Sequence, residues 1–397
     1  MMKNLLIKRK IVLFYFIYLI FAHLFILSLH LDEFPIKYVF TDWLINYEGG
    51  FIRRGLLGQI IFNVSSITSF ELKDIIFSIQ SLGYVIYLGL IFNFLRKIEL
   101  NFFWILIVFS TISFLYPISE LEALGRKDIY IILCFLIFTY LNFSNLSKLI
   151  FAFLIIFLFS SLIHEISFFY LPYYLFIIYL KSSFQIQEKI KFKYILIIFL
   201  YLLFLIYLNF FISNNAEITK IVSSYDTFNL NLNIKHGAFS WLLKPLEEHL
   251  LSVFNNVSFK SIIRYLYILL INVFVIIYFI KFKYKLIIFS KEFRIIDIFL
   301  IFTFLSFPIY LLVLDWGRVT YITFNFMLIL VISFQNHKLI DKNYLNTKVN
   351  SLSLKMKSFI FILVCILFAP KILMNDDFSG IPLFKTFDKI QDNINLF

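Results

Sequence analysis

The feature that most constrains this chain is a series of long apolar runs separated by short charged segments. IVLFYFIYLIFAHLFILSLH at 11–30 and YILIIFLYLLFLIYLNFFI at 194–212 are two of them. A hydrocarbon layer of about 30 Å takes roughly 20 residues of helix, so such runs read as transmembrane spans. Applied along the chain, this rule places about eleven, within nine to thirteen. They lie near 11–30, 75–95, 102–117, 129–145, 149–163, 166–180, 194–212, 262–280, 296–314, 319–335 and 358–374. The expected fold is an all-α polytopic transmembrane helix bundle, one integral-membrane domain over 1–397. The first run follows Lys3, Lys8, Arg9 and Lys10 and lacks a small-residue cleavage site, so it reads as a retained signal anchor. With 61% hydrophobic and 15% charged residues, a soluble core and intrinsic disorder are both excluded. Cys134 and Cys365 lie inside apolar runs, which leaves no disulfide framework or cysteine metal site in view.

Lysine and arginine are retained on the cytoplasmic side of a membrane, so their distribution gives orientation. With the N-terminus inside, the inner segments hold 21 Lys and Arg against five acids, and the outer segments 15 against 19. The net +12 therefore divides into +16 inside and −4 outside, and it records orientation rather than affinity for nucleic acid. Eight of the ten glycines and five of the seven prolines fall in outer segments or at their edges. Special backbone conformations thus gather where irregular chain must hold a shape.

The outer segments also carry the chemistry. The first, 31–74, contains Asp32, Glu33, Asp42, Glu48 and the string GGFIRRGLLG with Arg53 and Arg54. Its apolar spacing predicts two short interfacial helices around the Gly-Gly break. The paired arginines either anchor such a helix to lipid headgroups or present guanidinium forks to a phosphate. The second, PISELEALGRKD, holds Glu120, Glu122, Arg126, Lys127 and Asp128. Its two cations oppose the positive-inside preference, which a local salt bridge or an anionic ligand would explain. The third is reduced to His164-Glu165, an ionisable pair at membrane depth that needs a polar cavity or a partner. In the fifth, Asp315-Trp316-Gly317-Arg318, acid and base stand three apart, as in a mutual pair holding two helix ends.

The fourth outer segment, 213–261, is the longest later loop, with His236, Trp241, Pro245, Glu247, Glu248 and His249. A helix is expected over 239–254. No set of its histidines and acids has metal-ligand spacing, and neither metal nor cofactor is expected. Trp43, Trp241 and Trp316 suit either a membrane-interface belt or a sugar-stacking surface. A tail, 375–397, is expected on the outer side. Because the carboxylate–cation clusters all map to one side, on the ends of different helices, several loops are expected to converge on one extracytoplasmic site.

The strings GGFIRRGLLG, LGRKD and DWGR, and the order of a first span, a long outer loop opening on Asp32-Glu33 and then a helical bundle, carry a resemblance. The chain resembles bacterial integral-membrane glycosyltransferases of the GT-C type, and O-antigen and capsular polysaccharide polymerases. That resemblance implies a multi-pass protein of the bacterial cytoplasmic membrane acting on its periplasmic face. The implied partners are a polyprenyl-phosphate- or pyrophosphate-linked sugar, membrane lipid and other polysaccharide-assembly proteins, with no nucleic acid. It also implies an outer-loop carboxylate as base; Asp42 stands first for its nearness to the Gly-Arg-Arg element, and Asp32, which better matches the family's position directly after the first span, stands next, with His164 and Glu165 orienting the acceptor or substituting as base. Arg53, Arg54, Arg126, Lys127 and Arg318 would hold the lipid phosphate, supported by Glu48, Asp128 and Asp315. The alternative is a transporter or flippase of a lipid-linked oligosaccharide or small solute. Against it stand the scarcity of mid-span ionisable residues, His23 excepted, and the lack of a visible repeat.

Overall fold

The computed structural model describes residues 2–367, apart from 99, 231, 236, 245, 282–284, 289–290 and 337. His236, Pro245, the end of the expected span 358–374 and the tail 375–397 lie outside the described residues. The protein is about 79% helical. Among the described residues its strands are a single antiparallel hairpin, Lys285–Ile288 with Lys291–Arg294. The hairpin lies between the expected spans 262–280 and 296–314.

Among the described residues six helices are long and apolar enough to cross a membrane: Lys10–Glu33, Leu72–Leu95, Leu146–Ile163, Phe192–Asn215, Ser261–Phe279 and Trp316–Gln335. A seventh arises if Lys342–Ser351 and Leu354–Ile366, bent by 98° at their junction, count as one span. Each of the six falls on an expected span. The other stretches form shorter or broken pieces, and local chemistry accounts for the breaks. In 102–117 the helix Phe102–Phe109 stops at Ser110, which turns extended. There Ser113 donates to the Ile107 carbonyl (2.9 Å) and Ser110 accepts from the Ile112 N–H (3.4 Å). Such hydroxyls compete with the helical ladder for backbone groups. In 166–180 a 3-10 helix, Glu165–Tyr170, precedes Leu171–Leu180, whose first turn holds Pro172. In 296–314 the helix Ile295–Leu305 gives way to a 3-10 turn containing Pro308. Proline cannot donate to the ladder, so both breaks fall where a continuous span would leave a carbonyl unpaired.

The chain divides into two compact units. One comprises Met1–Leu19, Leu90–Ala123 and Glu247–Phe397, and the other Ile20–Gly89 and Leu124–Leu246. In the first, Trp316–Gln335 is buried along its whole length. Tyr116 lies against Tyr321 (4.8 Å between rings), and Trp316 meets Tyr265 edge-on (5.5 Å). In the second, the ring of Tyr174 packs among Phe135, Phe138, Phe153 and Phe157, at 5.0 to 6.1 Å. Phe192–Asn215, also of this unit, is mostly exposed, as expected of a helix bathed in lipid.

The two interfacial helices expected in 31–74 need correction. Gly55–Thr68 keeps an exposed apolar side of Ile60, Val64 and Ile67. Tyr38–Trp43, by contrast, is an interior helix with Val39, Phe40, Thr41, Asp42 and Trp43 all buried. The cause is its composition: Phe40 and Trp43 are large apolar side chains that gain most by full burial. Asp42 goes inside with them and needs partners there.

Candidate functional site

The second unit encloses a cluster of charged side chains drawn from three distant segments. Its first wall is the buried helix Tyr38–Trp43, fixed by a hydrogen bond from Trp43 Nε1 to the Gly125 carbonyl (2.7 Å). The stretch Leu124-Gly125-Arg126-Lys127, where the short helix Leu121–Gly125 ends in a turn, is held from its other side by Gln80. That side chain donates to the carbonyls of Leu124 (2.6 Å) and Arg126 (2.8 Å). A side chain at Gly125 would come within 2.5 Å of Val39 Cγ1, so glycine is what lets this stretch lie against the helix.

The second wall is the turn before Gly55–Thr68. Arg54 adopts the left-handed region (φ 67°) at the head of that helix, at a cost of about 1 kcal/mol. A Cβ at Gly58 would approach the Ile45 carbonyl oxygen to 1.9 Å, so the helix rests directly on the chain leaving the first wall. Gly58→Ala is therefore expected to destabilise the protein by about 2 kcal/mol. Thermal unfolding in detergent checks this, and an unchanged midpoint would refute the close approach. The third wall is His164-Glu165, where the chain turns extended after Leu146–Ile163.

Lys127 is 1% exposed and uses its ammonium on three acceptors. They are the carbonyls of Asp42 (2.8 Å) and Arg54 (3.1 Å) and the Asp42 carboxylate (3.2 Å). Arg54 grips Glu165 through Nε, at 2.8 and 3.0 Å to the two carboxylate oxygens, and again through Nη2. Its Nη1 reaches Asp42 Oδ1 (3.5 Å) and the Tyr38 hydroxyl (3.4 Å). His164 Nδ1 takes the Ile166 N–H at 3.2 Å and lies 3.2 Å from Glu165 Oε2. Burial alone would raise the Glu165 carboxyl, but Arg54 outweighs it and holds the group well below the usual carboxylate range. Burial likewise opposes the charge of Arg54, and Glu165 heads the groups that overcome it and raise its pKa. For Lys127 burial wins, and its pKa falls despite Asp42.

Arg53 differs from the others. Its backbone N–H donates to Ser213 Oγ (3.1 Å), while its guanidinium lies 4.0 Å from Glu165 and makes no hydrogen bond among the described residues. Burial pulls its pKa down. The cluster thus sets three cations, Arg53, Arg54 and Lys127, against two carboxylates, Asp42 and Glu165. Four of these charges satisfy one another, and the fifth keeps its donors. Such a site can receive an anion with planar oxygen acceptors.

The remaining sequence-derived candidates fall around this core or apart from it. Arg126, also buried, stacks 4.9 Å over the Tyr38 ring. Asp128 is buried at the first position of Asp128–Tyr140, where a negative charge suits the helix dipole. Glu48 is exposed and accepts from Gln59 (3.0 Å). Asp32 is exposed in the 3-10 turn Leu31–Glu33. Asp315 and Arg318 belong to the other unit and pair with each other at 3.4 Å. Sequence reasoning missed Tyr38, although its position one helical turn before Asp42 was a usable signal. It also missed Gln80 and Ser213, for which the sequence holds no local sign. Among the described residues no group of three His, Cys, Asp or Glu is placed to hold a metal ion. No family model matches the chain, and neither a curated protein nor a solved structure gives a significant match to it.

Proposed function

We propose that the protein is a membrane glycosyltransferase, or a polymerase of the O-antigen type, that uses a polyprenyl-phosphate- or pyrophosphate-linked sugar at the extracytoplasmic face. The observation that supports this reading best is the buried cluster with one cation in excess and the Arg53 donors unspent. In glycosyl transfer the departing lipid phosphate gains negative charge as the anomeric bond breaks. A preorganised guanidinium stabilises that charge where water is excluded. Arg53 is the group that meets the phosphate, and Arg54 and Lys127 supply the surrounding positive potential while Glu165 and Asp42 fix their positions.

The same geometry reorders the candidates for base. Both oxygens of Asp42 are engaged, one by Arg54 and one by Lys127. Both oxygens of Glu165 are taken by Arg54. Each carboxylate would have to lose its cations before accepting a proton. Asp32, exposed in the 3-10 turn that ends the first long span, carries no such burden. In this reading it deprotonates the acceptor hydroxyl, which then attacks the anomeric carbon.

The charge balance supports a cytoplasmic N-terminus and an outward-facing cluster. Reporter fusions near residues 186 and 230 are expected to report cytoplasm and periplasm respectively, and the opposite pattern would put the cluster on the wrong side for a periplasmic enzyme. Deleting the gene in its host is expected to change the chain length or composition of the surface polysaccharide. Unaltered polysaccharide together with altered solute uptake would instead favour a transporter.

A further inference from the structure

A second site lies in the same unit, outside the charge cluster. A groove of about 690 Å³ opens where three segments meet: Phe34-Pro35 after the first span, the Ser65–Lys73 link between two helices, and Thr227–Leu230. The charge map places all three on the outer side. The volume suits an organic ligand of several rings.

Its lining indicates the class of that ligand. Phe34, Phe70 and Phe228 bring three aromatic rings from three separate stretches of chain. Phe228 is set in place by Phe62 (5.5 Å) and Tyr225 (6.1 Å), whereas Phe70 is 64% exposed. Between the rings lie hydroxyls that have already spent their hydrogens on the backbone. Ser65 donates to the Phe70 carbonyl (2.7 Å), Ser66 to Asn63 (2.9 Å) and Thr227 to Ser224 (2.9 Å). Each is left with lone pairs to offer, so the groove presents acceptors. The charged groups of the lining, Glu71 and Lys73, face each other at 3.4 Å and cancel. Ser69, in the left-handed region (φ 59°), makes the turn that brings Phe70 and Glu71 round to the lining.

Aromatic faces, hydroxyl acceptors and a net charge of zero fit poorly with a phosphate. They fit a neutral polyol whose C–H faces lie on the rings and whose hydroxyls donate to the wall. We propose that this groove binds a neutral oligosaccharide, the growing or accepting glycan. Its acceptor role rests on the glycosyl-transfer reading, but its capacity to hold a glycan does not.

The test uses the full chain in nanodiscs, with saturation-transfer NMR against a panel of neutral linear trisaccharides of glucose, galactose, mannose and N-acetylglucosamine. At least one is expected to bind saturably. Phe228→Ala and Thr227→Val should weaken it, the former by about tenfold. Phe70→Ala, at an exposed position that folding does not depend on, should weaken it as well. Absence of saturable binding across the panel would overturn the proposal, as would wild-type binding by the Phe70 and Phe228 variants. So would labelling of the groove by an alkyl-chain photoprobe that no glycan displaces, which would make it a lipid site. Glycan binding without a polysaccharide defect on gene deletion would leave the groove standing and defeat the transfer reading. The defect without glycan binding would do the reverse.

Discussion

Arg53→Ala is expected to slow sugar transfer from a polyprenyl-phosphate donor by about a hundredfold or more, the usual effect of removing one preorganised donor from a developing oxyanion. Stability should barely change, because among the described residues the guanidinium makes no hydrogen bond and its single ion-pair contact is at the long limit of 4.0 Å. Arg53→Lys should recover only part of the rate, since an ammonium keeps the charge and loses the planar fork. Transfer assays on purified protein in nanodiscs, paired with thermal unfolding, measure both quantities. A normal rate in the alanine variant would remove the central support for the phosphate role. A collapsed melting temperature would make Arg53 a structural residue instead.

Glu165→Gln should have the opposite profile, with stability lost first. Arg54 would keep Asp42 at 3.5 Å, but it would share that carboxylate with Lys127 and lose the paired contact that offsets its burial. Stranding a buried charge in this way costs about 3 kcal/mol. Replacing both partners, Arg54→Met with Glu165→Leu, should cost less than Glu165→Gln alone, because Arg54 is then no longer a buried charge stripped of its main partner. If the double variant proved the weaker protein, the pair would be contributing through packing rather than charge. The pair also predicts a pH profile. The carboxyl is depressed in the folded protein from an ordinary value of 4.5, so its stabilising effect is present above that pH. It is lost as pH falls through the lower folded value. Wild type should therefore retain the contribution down to moderately acid pH, and Glu165→Gln should show no loss from this group on further acidification.

The sequence disclosed these features unevenly, for physical reasons. Spans such as 194–212 and 262–280 were legible because continuous apolar helix is the one pattern lipid demands of a single segment. The breaks within 102–117 and 166–180 were not, since apolarity persists through Ser110 and Pro172 while the hydrogen-bond pattern changes. Every charge in the cluster was visible, Asp42 on its own and the others as part of GGFIRRGLLG, LGRKD or His164-Glu165. Their pairing was not, because no periodicity reports a contact across 111 residues such as Arg54 with Glu165. Two of the three acceptors of Lys127 are backbone carbonyls, which have no residue identity to read. The sequence thus suggested five cations free for phosphate, whereas the structure binds Arg54 and Lys127 internally and pairs Arg318 with Asp315.

Lys127 closes the stretch from Asp42 to Arg54 at its neck, with one ammonium holding both carbonyls. During synthesis that stretch emerges long before its clasp, and Glu165 follows later still. The stretch therefore waits unlatched while the next helices are made, so the cluster is completed only when the chain has been made past His164-Glu165. Truncated or stalled chains that end before that point would carry every residue of the Gly-Arg-Arg turn without the carboxylate that grips Arg54.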